Sequence, residues 1–232
     1  MKAVFLDKDG TLVEDVPYNV DPERIRLMPG AAEGLFLLHV SGYRLFVVSN
    51  QSGVARGYFP EEALRAVEDR LRGLLAESAV PLDGFYYCPH HPEGSEQSYA
   101  IDCECRKPRP GLILQAAREH DLDLARSWVV GDILNDIEAG RRAGCRTVLV
   151  DYGNETEWLL TPERLPHHVA TDLIEAALII AAVGGIGQRL AADDGRTKKP
   201  HTIEDDGGKS SALPTPSSIV HRPSSLAPRG RP

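Results

Sequence analysis

No stretch of this chain is long and apolar enough to suggest a membrane span. The longest apolar run, Ala176 to Val183, falls far short of the roughly 20 residues a spanning helix needs. The amino terminus enters a strand-like run at once, without the basic stretch, apolar core and small-residue cleavage site of a leader, so no signal peptide is expected. Positive charge is not in surplus. Lys and Arg number 26 against 34 Asp and Glu, a formal net charge of −8, which disfavours nucleic acid as a partner but still allows a local basic cluster for an anionic ligand. Cysteine is scarce: there are four, and Cys88, Cys103 and Cys105 share one short window with His90 and His91. In a reducing compartment such bunching reads as metal binding rather than disulfide formation. Cys145, just before the apolar run 147–150, reads as a buried small residue. No internal repeat is present. The expectation is a cytoplasmic, monomeric globular protein; 232 residues at 42% hydrophobic content suffice for one domain with a sizeable core, or one domain with an appendage.

Strand-like runs recur at 2–6, 43–48, 127–130 and 146–150, with helical periodicity between them. That alternation predicts βαβ units and an α/β fold with a doubly wound parallel sheet. The clearest helix covers 61–79, where Leu64, Val67, Leu71, Leu74 and Leu75 form one apolar stripe behind Pro60, Glu61 and Glu62. Further helices are predicted over 31–40, 110–120, 135–143 and 171–183. From Gly184 onward there is no Phe, Tyr or Trp, and Pro, Gly, Ser, Thr and charge dominate. Such a segment cannot bury enough apolar surface to offset its ordering entropy, so the sequence divides into a folded domain over 1–183 and a disordered tail over 184–232.

The chemistry sits at the predicted strand ends, where an open α/β sheet places its ligands. The first strand runs into Asp7-Lys8-Asp9-Gly10-Thr11. In extended backbone Asp7 and Asp9 share a face, so two like charges need a cation or a shared proton, and the pair suits Mg²⁺ together with an attacking carboxylate. An acidic turn capping a strand is the alternative. The second strand ends in Ser49-Asn50-Gln51-Ser52-Gly53, hydroxyl and amide groups that could hold a phosphoryl oxygen or simply form a polar loop, and Arg56 follows as a candidate anion contact. Lys107 precedes a proline-started helix, where it could neutralise a phosphate and the carboxylate attacking it, or remain solvated. Gly131-Asp132 ends another strand; Asp132 is a natural third carboxylate for a hard cation, while Asp136 supports the site from behind or caps the following helix.

Taken in order, D-x-D-G-T, hydrophobic-Ser-Asn, Lys and Gly-Asp-x₃-Asp resemble the haloacid dehalogenase superfamily of phosphotransferases across residues 1–150. The resemblance implies a Rossmann-like fold. It makes Asp7 the nucleophile that forms an aspartyl-phosphate and Asp9 the general acid and base. Ser49 and Lys107 then hold the transferring phosphoryl group, and Asp7, Asp132 and the backbone carbonyl of Asp9 hold Mg²⁺. Asp9 favours a phosphatase over a dehalogenase, which has no alkoxide to protonate. Only 41 residues separate Asp7 from Ser49, too few for a large cap domain, so loops must limit access.

Cys88, His90, Cys103 and Cys105 form a Cys₃His set suited to a closed, structural Zn²⁺ site, with unliganded thiols or His91 in place of His90 as alternatives. Zinc would fold the small loop over 88–105 and position Lys107, two residues on. The C-x-H … C-x-C-R-K-P pattern is similar to the zinc-containing branch that includes D,D-heptose 1,7-bisphosphate phosphatases and histidinol phosphatases. Val16-Pro17-Tyr18 and Gln51 to Gly57 favour the former. That resemblance implies a phosphorylated-sugar substrate, specifically the 7-phosphate of the heptose bisphosphate, and contacts from Asp15, Val16, Pro17, Tyr18, Asn50, Gln51, Ser52 and Arg106. Where members of that branch usually carry Thr this chain has Ser49, which keeps the hydroxyl.

Overall fold

The alternation of apolar runs and amphipathic segments becomes a six-stranded sheet, all neighbours parallel, in the order β3-β2-β1-β4-β5-β6. The computed structural model describes residues 1–193. The strands are β1 (Ala3–Leu6), β2 (Arg44–Asn50), β3 (Gly84–Cys88), β4 (Trp128–Gly131), β5 (Arg146–Val150) and β6 (His168–Ala170). The helices are α1 (Ala31–Val40), α2 (Ala63–Ala76), α3 (Gly111–His120), α4 (Leu134–Arg142) and α5 (Leu173–Asp193). Period-2 alternation sorts the strand side chains onto two faces. Val4, Leu6, Leu45, Val47, Trp128, Val130, Val148 and Val150 meet α1, α2 and α5 on one side. Phe5, Phe46, Val48 and Val129 meet α3 and α4 on the other. Both faces are covered, which is why the central strands are apolar throughout.

Two strands escaped the periodicity argument. β3 reads Gly-Phe-Tyr-Tyr-Cys and is only partly buried at the sheet edge; β6 is three residues long. Neither offers the uninterrupted apolar run that marked the central strands. The helix expected over 61–79 is shorter at both ends, since 61–62 form a turn and Ala79 takes a positive φ of 56°.

The boundary placed at 183 needs correction. α5 continues to Asp193, so 184–193 belong to a helix rather than to a tail. The tail assignment rests on composition without aromatics and rich in Pro, Gly and polar residues, yet a helix whose first turns are buried against α1 propagates cheaply once nucleated. Gly184 has a packing reason as well, because a Cβ there would come within 2.6 Å of the Tyr43 hydroxyl. Residues 194–232, where the rest of that tail was expected, lie outside the described residues.

Strand order reverses between β1 and its neighbours β2 and β4. Ligands of open α/β sheets bind in the crevice beyond the strand ends at such a switch. No large cap interrupts the chain between β1 and β2, which are joined through one short 3₁₀ turn (Pro22–Arg24) and α1.

Candidate active site and metal centre

β1 and β4 deliver their terminal carboxylates side by side. The register pairs Leu6 with Val130, and the Asp7 amide donates to the Val130 carbonyl (2.9 Å), so Asp7 and Asp132 leave the sheet together. Gly10 makes the approach possible: it has φ +81°, and a Cβ there would lie 2.4 Å from Asp132 Oδ2. Asp132 is oriented by Thr11 Oγ1, which donates to Oδ1 (2.7 Å), and by Asn154 Nδ2, which donates to Oδ2 (2.9 Å). Asp136 rises from the first turn of α4, and oxygens of Asp7, Asp132 and Asp136 all lie within 4.8 Å of one another.

A single buried cation faces these carboxylates. Lys107 Nζ bonds Asp7 Oδ1, Asp136 Oδ1 (2.7 Å) and the Val48 carbonyl (2.8 Å). Its backbone is fixed reciprocally by Asn50, whose Oδ1 accepts from the Lys107 amide (3.0 Å) and whose Nδ2 donates to the Lys107 carbonyl (3.1 Å). Burial opposes a charge on Lys107, but Asp136 and Asp7 outweigh it and hold the ammonium above its ordinary pKa. Burial, opposed by Lys107 and reinforced by Asp136 and Asp9, pushes the Asp7 carboxyl up to about 7. Burial and the charge of Asp7 push Asp132 up to about 6. Three carboxylates thus surround one ammonium in a low-dielectric site. A hard divalent cation with oxygen ligands and bound waters relieves that repulsion, so the donor set fits Mg²⁺.

Asp9 sits nearer solvent. Lys8 Nζ pairs with its Oδ1 (2.9 Å), and Gln51 Nε2 donates to its Oδ2 (3.0 Å) and to Ser49 Oγ (2.7 Å). A cavity of about 240 Å³ is lined by Asp7, Asp9, Asp15, Ser49, Asn50, Lys107, Asp132, Ile133, Asp136 and Asn154. A second, about 270 Å³, opens beside it and shares Asp9, Asp15 and Asn50. Its other walls are Pro17, Tyr18, Asn19, Gln51, Ser52 and Gly53. Tyr18 has φ 55°, a costly conformation for a bulky residue, and its half-exposed ring meets Tyr58 edge-on with centroids 4.6 Å apart.

The structure therefore gathers nearly every site residue expected from sequence. Val16 lines neither cavity; its carbonyl accepts from the Asn19 amide in a turn (3.1 Å). Arg56 and Arg106 also stand outside both linings, Arg106 Nη1 donating to the His90 carbonyl (3.3 Å). Lys8 and Asn154 were not anticipated. Lys8 points to the opposite face of the strand in the simple alternation argument, yet it is buried and curls back to Asp9. Asn154 follows β5 by four residues, and an amide just past a strand's carboxyl end was the only available signal.

The second cluster lies at the end of β3. Sγ of Cys88, Cys103 and Cys105 are 3.2 to 3.5 Å apart, and His90 Nδ1 lies 3.3 Å from Cys105 Sγ and 3.7 Å from Cys88 Sγ. All four cysteines are free. A tetrahedron with metal–sulfur bonds of about 2.3 Å has edges of roughly 3.8 Å, so this slightly tighter cage has the donors and the shape for zinc. Burial raises the Cys88 thiol, and a thiolate there needs a cation beside it. Arg109 Nη1 donates to the Cys103 carbonyl (2.7 Å) and the Gly111 amide to the Glu104 carbonyl (3.0 Å), tying the cage to the start of α3.

Comparison with known proteins agrees with this geometry. Residues 104–176 match the HAD-hydrolase-like family model. D-glycero-β-D-manno-heptose-1,7-bisphosphate 7-phosphatase of Pasteurella multocida is 46% identical over 153 residues, 66% of this chain and 83% of that protein. The protein of the same name from Escherichia coli K12 is 40% identical over 167 residues, covering 68% and 87%. Among solved structures, D,D-heptose 1,7-bisphosphate phosphatase from B. bronchiseptica, complexed with magnesium and phosphate, superimposes with TM-score 0.66 at 33% identity over 79% of this chain and 99% of that one. A chain similar to these over most of their length, with a parallel sheet that presents paired aspartates at its switch point, belongs to the D-glycero-β-D-manno-heptose-1,7-bisphosphate 7-phosphatase family of HAD-like phosphoric monoester hydrolases.

Proposed function

We propose that the protein is a Mg²⁺-dependent phosphatase that removes the 7-phosphate of D-glycero-β-D-manno-heptose 1,7-bisphosphate and leaves the heptose 1-phosphate. The catalytic half of this reading is carried by one observation: Lys107 binds a single oxygen of Asp7, Oδ1, leaving Oδ2 free to attack phosphorus. The sugar is supported by curated relatives such as the Pasteurella multocida and Escherichia coli proteins, whose names specify this substrate and its β anomer.

Asp7 Oδ2 forms a bond to phosphorus as the bond to the C7 oxygen breaks, and protonated Asp9 gives its proton to the departing alkoxide. Asp9 then takes a proton from water, whose oxygen attacks the aspartyl-phosphate and releases inorganic phosphate and free Asp7. Lys107 offsets charge on Asp7 and on the phosphoryl oxygens, with Ser49 as a hydroxyl partner. Asn50 keeps Lys107 in place. Asp7, Asp132 and the Asp9 carbonyl, with Asp136 supporting them, would hold Mg²⁺, which would supply charge neutralisation on the transferred group. Cys88, His90, Cys103 and Cys105 would hold a structural Zn²⁺, since a Cys₃His set fills four ligand positions. Four free thiols fit a reducing compartment, and the cytoplasm is the proposed location.

Histidinol phosphate is the rival substrate. Steady-state kcat/KM on both anomers of the heptose bisphosphate and on histidinol phosphate decides the matter, with the β anomer expected to lead. A clear preference for histidinol phosphate overturns the reading.

A further inference from the structure

Lys8 breaks the alternation of the strand it extends. In extended backbone its side chain points away from those of Asp7 and Asp9. The chain turns at once, however: the Lys8 carbonyl accepts from the Leu12 and Val13 amides (3.0 and 2.9 Å), and the Gly10 amide donates to the Val13 carbonyl (2.9 Å). Beside that turn Lys8 Nζ reaches Asp9 Oδ1 at 2.9 Å. Lys8 is only 3% exposed, and among the described residues Asp9 is the one anion paired with its ammonium.

A buried ammonium is costly, and a buried ion pair is a weak source of stability that apolar side chains of similar volume often match. Stability alone gives no reason for a cation here. Lys8 lines neither the inner nor the outer cavity, so contact with substrate gives none either. What the lysine does govern is the direction of Asp9. The Asp9 side chain is 31% exposed and lacks the burial that fixes Asp7. Instead it is gripped at both oxygens: Lys8 holds Oδ1, while Gln51 Nε2 donates to Oδ2 (3.0 Å) and to Ser49 Oγ (2.7 Å). That grip keeps Asp9 at the inner cavity, which Asp7 and Ser49 also line.

We propose that Lys8 is a positioning residue for Asp9, holding the carboxyl toward the leaving oxygen and meeting the charge that develops on it as the proton passes to the alkoxide. The proposal rests on the phosphatase reading above, in which Asp9 is the acid. Its signature is a dependence on the leaving group. An alkoxide needs a proton to depart, whereas p-nitrophenolate leaves without one, and kcat/KM covers only the steps through formation of the aspartyl-phosphate.

The test measures kcat/KM on the heptose 1,7-bisphosphate, on fructose 1,6-bisphosphate and on p-nitrophenyl phosphate. The proteins are the parent, Lys8→Met, Lys8→Arg, Asp9→Asn and the Lys8→Met/Asp9→Asn double variant. In Lys8→Met the ratio of sugar phosphate to p-nitrophenyl phosphate is expected to fall by about tenfold, and in Asp9→Asn by about 10²-fold or more. Lys8→Arg, which keeps the charge, recovers most of the ratio. The double variant falls no further than Asp9→Asn, because Lys8 acts through Asp9. An unchanged ratio in Lys8→Met, equal losses on both kinds of substrate, or losses that multiply in the double variant overturn the proposal. If Lys8→Met does not fold, Lys8→Gln decides by the same ratio. A ratio that falls in Asp9→Asn and not in the lysine variants sinks the proposal alone; one unchanged in Asp9→Asn sinks the acid role of Asp9 and the proposal with it. A parent that ignores the heptose bisphosphate sinks the heptose reading, and the fructose ratio then decides the role of Lys8.

Discussion

The aspartate cluster and the cysteine cage are built in opposite ways. Asp7 and Asp132 are placed by strand register and oriented by hydrogen bonds from Thr11, Asn154 and Lys107. The cage has one member, Cys88, on a strand; the chain from 89 to 105 contains no helix or strand and is held by isolated contacts such as Glu96 N–H to the Ala55 carbonyl (2.9 Å), beside the four converging side chains. Strand register therefore makes the first site, whereas in the second a bound zinc would add ligand bonds to a segment without regular backbone pairing. The two are mechanically linked, because Cys105 precedes Lys107 by two residues and Arg109 ties the cage to α3.

The largest effect expected from this difference is chemical. Asp7→Asn should lower turnover by about 10⁴-fold or more while leaving the fold and zinc content intact, since strand register and not the charge places the residue. A variant as active as the parent rules out Asp7 as nucleophile. Lys107→Met removes the cation that bridges Asp7 and Asp136, leaving buried carboxylates uncompensated. A loss of about 3 kcal/mol of stability is expected in metal-free buffer, partly restored by Mg²⁺, and denaturant unfolding with and without Mg²⁺ measures it. No change in either condition means the pair is not buried as described.

Zinc removal should separate the two regions. With chelator, or in Cys103→Ser, proteolysis is expected to concentrate within 88–105 while the circular dichroism of the sheet and helices changes little. Activity should fall with it because Lys107 loses one of its anchors. Uniform cleavage, or a protected loop without zinc, contradicts a role for bound zinc in holding that segment. The smallest effect is reserved for orientation: Asn154→Ala should weaken Mg²⁺ binding by about tenfold, with kcat close to the parent's at saturating Mg²⁺. Titration of activity against Mg²⁺ is the check, and an unchanged half-saturation point shows that Thr11 alone suffices to orient Asp132.

The strand–motif coupling made much of the site legible in advance. A hydrophobic run ending in Asp7 or in Gly131-Asp132 declares both the strand and the edge where its chemistry lies, and the Cys₃His spacing declares the cage. What escaped was whatever depends on neighbours remote in sequence. Asn50 reads as a donor for substrate, but both ends of its amide are committed to Lys107, 57 residues later. Lys8 reads as the outward residue of an alternating pair and proves to be the partner of Asp9. Edge strand β3, half-buried and aromatic, resembles loop until β2 pairs with it.

By itself the sequence determined the α/β class, the two clusters of possible metal ligands and the order of the polar groups at the strand ends, because strand, turn and helix signals are local. Tertiary structure alone decided which charges meet. That Lys107 spans Asp7 and Asp136 and that Asn50 serves Lys107 are results of packing β1, β2, β4 and the cysteine loop together. Burial makes those meetings consequential, because electrostatic partners within a few ångströms in a low-dielectric site outweigh anything the same residues experience along an extended chain.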